Sequence, residues 1–158
     1  MRLVLFALLL LATQGHAANQ GFDQSRAYAG AGLTFNSVGT AGNATGLQVF
    51  AGYEFDGLIN NDIHFAAEAG FMDSGDFDTF GFGRDDSAEG VWVAFPFRVA
   101  IDKRLDALMR VGADFGDDDG LLVGAGMGYN FNERSTFRVE YVVRDHINSF
   151  QFNMLFKL

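Results

Sequence analysis

The chain contains no cysteine, so it has neither a disulfide framework nor a thiolate metal site. Basic residues are few: 11 Lys and Arg stand against 20 Asp and Glu, a formal net charge of -9. Phosphate backbones need a basic patch, and a uniformly acidic chain argues against nucleic acid as a partner. Proline occurs once, at position 96. Long apolar runs are also scarce. The run from Leu3 to Ala12 is shorter than the roughly 20 residues that a helical membrane span requires, and no later stretch is long enough.

That early run has its own meaning. In MRLVLFALLLLATQGHA one cation, Arg2, precedes the apolar segment, and the small residues Gly15 and Ala17 follow it. This is the layout of a secretory signal peptide with cleavage after Ala17, so residues 1–17 are assigned to the signal and 18–25 to a short polar lead. Removing Arg2 leaves a slightly more acidic product, whose roughly 140 residues fit one domain.

From Arg26 onward the sequence alternates with period two, as strands do when successive side chains point to opposite faces. RAYAGAGLTF, GLQVFAGYEF and IHFAAEAGFM are the first three segments, and a fourth runs from about Val91 to Ile101. Pro96 interrupts the fourth, and because it lacks an N–H a bulge or broken pairing is expected there. The fifth segment carries Ala107 to Phe115, the sixth is LLVGAGMGYNF, the seventh surrounds Phe137 to Arg144, and the eighth is FQFNMLFKL at Phe150–Leu158. Between them, Asn36–Thr45, Asp56–Asp62 and the acidic stretch Asp73–Gly90 read as loops or turns, and DKRL, GDDDG, NERS and Asp145–Asn148 as short connections. The connections after the fourth and sixth strands are short and the others generally longer. Eight strands of about ten residues use about 80 residues, which suits an eight-stranded wall and not one of fourteen.

The two faces differ in kind. One collects Phe, Tyr, Leu, Val, Met and Ala with no charge in any segment, including Phe35, Tyr53, Phe55, Phe65, Phe71, Tyr129, Phe131, Phe137, Tyr141, Phe150, Phe152 and Phe156. The other collects glycine and the charges Glu54, Glu68, Arg98, Arg110, Asp114, Arg138, Glu140 and Arg144, four acids and four bases. A soluble barrel of the lipocalin type keeps its large apolar groups inside. Inverting the barrel would put its balanced ion pairs in water, and the face assignments fit that alternative poorly. The pattern fits an eight-stranded antiparallel up-and-down transmembrane β-barrel over residues 26–158. Its charge-free row meets lipid, where a midplane charge costs about 2–4 kcal/mol, and its balanced charges meet the lumen. With the lead in the periplasm, odd strands run outward, and Glu68, Arg110 and Glu140 lie near mid-barrel with Arg138 one inward step below. A lumen salt-bridge network of Glu68, Arg98, Arg110, Asp114, Arg138 and Glu140 is therefore expected. It serves either as a plug, the preferred reading, or as a gated ion path in which Glu68 exchanges Arg110 for Arg138.

The segments AYAGAGLTF, GLQVFAGYEF, FAAEAGF, LDALMRVGA and GYNFNERSTFRVEY are spread along the mature chain from the first strand to the seventh. In them the chain resembles the small outer-membrane barrels of the OmpA transmembrane domain and its OmpX-like relatives. The resemblance implies that Glu68, Arg110, Arg138 and Glu140 occupy the family's interior salt-bridge positions. Gly32 and Pro96 stand where the family can carry lysines, so two basic partners are missing and Arg98 is the candidate to compensate. The closing strand resembles the family's assembly signal, here Phe152, Met154, Phe156 and Leu158, with Leu158 replacing the usual terminal aromatic. The implied partners are outer-membrane lipid and lipopolysaccharide, together with the barrel assembly machinery. The chain is expected to be a monomer.

Some eight-stranded outer-membrane barrels modify lipid A, which makes hydrolase chemistry a third candidate. His146 lies beside Asp145 with Ser149 three residues on, a spacing whose opposite strand parity sends the two side chains to opposite faces. His64 has no evident partner. The acidic loops match no calcium-loop spacing and read as solvated charge, while the FDTFGFGRDD tip could be adhesive or fold over the lumen. The expectation is a non-enzymatic, cofactor-free outer-membrane protein with a structural or surface-interaction role. A narrow channel is the alternative, and a lipid A-modifying enzyme is the third reading.

Overall fold

A computed structural model describes residues 23–38, 42–55, 63–75, 88–117 and 119–158. The assigned signal peptide, most of the lead, the Asp56–Asp62 turn and the FDTFGFGRDD tip lie outside the described residues.

A short 3-10 turn, Gln24–Arg26, leads into strands β1 (Ala27–Val38), β2 (Gly42–Phe55), β3 (Ile63–Asp73) and β4 (Glu89–Ala100). They continue as β5 (Leu105–Gly116), β6 (Gly120–Asn130), β7 (Ser135–Val143) and β8 (Asn148–Lys157). Each strand pairs antiparallel with its sequence neighbours, and β8 returns to β1 over the pairs from Tyr28–Lys157 to Ser37–Asn148, closing the barrel. Closure leaves no unpaired edge. The entry turn is capped by Asp23, whose carboxylate accepts from the Ser25 hydroxyl at 2.6 Å and the Ser25 N–H at 3.0 Å. Those bonds hold its carboxyl below the usual carboxylate range, with the nearby Arg26 adding to the effect.

The register fixes the shape. Phe55 pairs with Phe65, and stepping from partner to partner passes Phe97, Met109, Ala125, Tyr141, Phe150 and Phe35 before reaching Thr45. One circuit therefore climbs ten residues along β2. For eight strands that stagger gives a tilt of about 40° and a wall radius of about 8 Å, a lumen with room for side chains only.

Alternation sorts the side chains as the sequence pattern predicts. The outward row is charge-free from one rim to the other and about 24 Å tall at that tilt. Its rings pack edge to face or stacked, as in Phe35–Phe152 at 5.8 Å and Phe65–Phe95 at 5.9 Å. On the rim opposite the termini, Asp73 and Glu89 end β3 and begin β4, and Asp117, Asp119 and Asp145 lie just beyond the ends of β5, β6 and β7. The predicted break at Pro96 is present as lost pairing without a bulge. The β3–β4 register is the same on both sides, but Ala66 and Ala67 are not paired with Pro96 and Phe95.

Two expectations are corrected. Asn36–Thr45 is not a loop: β1 runs to Val38 and β2 starts at Gly42, with Ser37 opposite Asn43 and Phe35 opposite Thr45. Polar outward residues signal the end of the lipid-facing row, not the end of the ladder, because the backbone still pairs above it. The generally longer connections after the odd strands are also not found. Residues 39–41, 117–119 and 144–147 are as short as 101–104 and 131–134, and only residues 74–88 form a long connection on that rim. A clamp closes the base of that connection, with Ser74 N–H donating to Ala88 O at 2.9 Å and Ala88 N–H to Ser74 Oγ at 2.8 Å.

Candidate functional site

The inward residues of the strands meet in three charged layers. In the central layer Glu68 (β3) receives two hydrogen bonds from Arg138 (β7), Nη1 to Oε1 at 2.6 Å and Nη2 to Oε2 at 3.1 Å. The Tyr28 hydroxyl adds a third at 2.6 Å. Glu140 lies 2.6 Å from Arg138 Nε and 3.4 Å from Arg110 Nε, and it accepts from Asn153 Nδ2 at 3.2 Å. Arg110 stands 3.8 Å from Glu68 and donates to Gln151 Oε1 at 3.3 Å. Two carboxylates and two guanidinia thus share one layer, all four at most 2% exposed. A buried charge is tolerable when paired and hydrogen-bonded, and a lone one is not.

Aromatic rings complete the layer. Arg138 lies over Phe50 at 5.0 Å and Arg110 over Trp92 at 4.8 Å, a favourable stacking of cation on ring. Room for these rings comes from glycines on the wall. A Cβ at Gly52 would stand 2.3 Å from the Tyr28 ring, one at Gly30 2.3 Å from Phe50, and one at Gly70 2.6 Å from Trp92. The lumen glycines are the surfaces against which large inward side chains lie flat.

The lower layer, at the rim of the termini, joins Arg98 to Glu54 by a close ion pair, with Asp106 3.9 Å from Arg98 and Lys157 3.1 Å from Glu54. The upper layer pairs Arg144 with Asp114 at 2.8 Å. Arg144 also donates to Ser149 Oγ at 2.8 Å, and that hydroxyl donates to Asn36 Oδ1 at 2.6 Å. The expected network of six residues is therefore three groups. Glu68, Arg110, Arg138 and Glu140 come together, whereas Asp114 belongs to the upper layer and Arg98 to the lower. Arg98 does not stand in for the missing lysines. Asn153 occupies the space at Gly32, with its Oδ1 2.0 Å from where a Cβ would be. Sequence reading had not named Tyr28, Phe50, Trp92, Gln48, Gln151 or Asp106 as site residues.

Of the hydrolase candidates, Ser149 is buried with its hydroxyl bonded to Arg144 and Asn36, while His146 is exposed. Among the described residues no group of three His, Cys, Asp or Glu could hold a metal ion.

A closed, tilted eight-stranded barrel with a charge-free exterior and a charged interior is a transmembrane β-barrel. The chain matches the model of the outer membrane protein beta-barrel domain over residues 4–154 and belongs to that family, which places it in the outer membrane. Comparison with curated protein sequences returns no match. Among solved structures it is similar to the outer membrane protein Ail of Yersinia pestis in a nanodisc, at 16% identity, TM-score 0.58, over 84% of this chain and 98% of that one. It is also similar to Neisserial surface protein A, at 14% identity, TM-score 0.53, over 84% and 96%. A de novo designed transmembrane β-barrel shares the fold at 12% identity and TM-score 0.57, over 87% and 98%.

Proposed function

We propose that this protein is a non-enzymatic outer-membrane barrel with a structural or surface-interaction role and a lumen plugged by paired charges and flat-lying rings. The observation that carries the reading is the central layer, in which two acids and two bases neutralise one another in full burial inside a wall about 8 Å in radius. A surface role is in keeping with the similar fold of Ail, which is described as an attachment invasion locus protein. The non-enzymatic part rests on the placement of Ser149 inside the upper network, away from exposed His146.

Its partners on this reading are outer-membrane lipid and lipopolysaccharide around the belt and the assembly machinery that reads Phe152, Met154, Phe156 and Leu158. The signal at residues 1–17 is cleaved on export, and one chain closes the barrel, so a monomer suffices. The test is purified barrel in planar bilayers, with heat-modifiable gel migration to verify folding. No discrete openings are expected; steady single-channel currents from folded wild-type protein refute the plug. Unchanged lipid A mass spectra on overexpression are expected, and a new lipid A species refutes the non-enzymatic role.

A further inference from the structure

We propose that two apolar layers, between the charged ones, are what block ions in this lumen, and that the central salt bridges hold the wall together without forming the seal. The inference deepens the plugged-lumen reading and rests on it. With the register and tilt given above, the Cα atoms of the lower, central and upper charged layers stand at heights of roughly 0, 9 and 20 Å along the axis. Ala66, Pro96, Leu108 and Leu155 fall between the first two, at about 5 Å. Met72, Trp92, Leu122 and Val142 fall between the second two, at about 17 Å. All eight are buried, and Trp92, Leu122 and Val142 are 0% exposed. The upper group and, from the lower one, Ala66 and Leu155 belong to one hydrophobic cluster that also holds Tyr28, Phe50 and Ala94. On the β2 and β8 side the upper layer is completed by Gln48 and Gln151, which are bonded to each other at 2.9 Å.

An ion crosses a pore where protein groups replace its water ligands, and apolar constrictions stop it by shedding water. The charged layers offer such groups: a cation in the central layer meets Glu68 and Glu140, an anion Arg110 and Arg138. The apolar side chains of the intervening layers offer none, and the two amides that complete the upper layer are bonded to each other. The two layers stand in series, so opening one leaves the other.

The full barrel in planar bilayers tests this with two variants, each verified as folded by heat-modifiable migration. Glu68→Gln with Arg138→Met removes one acid and one base, leaves Arg110 with Glu140, and keeps side-chain volume. It should be as silent as wild type. Leu108→Asn, Leu155→Asn, Leu122→Asn and Val142→Thr together keep volume but wet both layers, and should conduct with every salt bridge intact. If that variant does not fold, Leu108→Asn with Leu122→Asn, one change per layer, takes its place with the same expected gain of openings. Openings in the ion-pair variant, or silence in a folded layer variant, overturn the proposal while the plugged reading stands. Openings in wild type instead refute the plugged reading itself.

Discussion

Replacing Arg138 by methionine should destabilise the barrel by about 3–5 kcal/mol, the usual cost of leaving a buried charge without its partner. The reasoning is local. Glu68 would lose both short hydrogen bonds, at 2.6 and 3.1 Å, and keep only Tyr28 and an Arg110 that stands 3.8 Å away. Glu140 would lose its contact at 2.6 Å and keep Asn153 and the same Arg110 at 3.4 Å. Two carboxylates would then compete for one guanidinium in a layer sealed from water. Methionine fills most of the arginine's volume and still covers Phe50, so the loss is one of charge pairing more than packing. Adding Glu140→Gln restores one acid to one base, and the double variant should regain more than half of the loss. Urea unfolding in phospholipid vesicles measures both, and Trp92, the one tryptophan in the sequence, reports the transition from inside the lumen. Arg138→Met within 1 kcal/mol of wild type would refute the reasoning, as would a double variant no more stable than the single one.

The same titration checks two more outcomes. Gly52→Ala pushes a Cβ to 2.3 Å from the Tyr28 ring and should cost about 1–3 kcal/mol through overpacking. Gly128→Ala, whose nearest neighbour would be at 3.5 Å, should stay within about 0.5 kcal/mol of wild type. Pro96→Ala restores a ladder N–H opposite Ala66 and should stabilise by about 1 kcal/mol, with slow hydrogen exchange at the new amide as the direct readout.

Much of this fold is legible in the sequence because strand alternation has a period of two with no drift, so parity alone assigns a face. In β8 it places Phe152, Met154 and Phe156 on the lipid face and Gln151 and Asn153 in the lumen. The same parity puts Glu68, Arg110, Arg138 and Glu140 inside, and position along each strand puts them near mid-barrel. Parity says nothing about how far the chain climbs from strand to strand. That stagger separates Arg98 and Asp114 from the central layer, and it becomes known only from the pairing. Asp106 escapes notice for a simpler reason: a fifth strand that starts at Ala107 leaves it in the turn, whereas β5 begins at Leu105.

The glycines make the deeper point about what a single strand cannot say. Read alone, Gly52 and Gly70 are gaps on an inward face, and Tyr28, Phe50 and Trp92 are oddly large for a narrow lumen. Paired across strands they are one feature, because Tyr28 lies on Gly52, Phe50 on Gly30 and Trp92 on Gly70. The flat rings then carry the guanidinia of Arg138 and Arg110 at 5.0 and 4.8 Å, which sets where those charges can reach. A glycine on β1 or β3 therefore helps to position an arginine on β7 or β5. Substitutions there should disturb the central ion pairs without touching a charged residue.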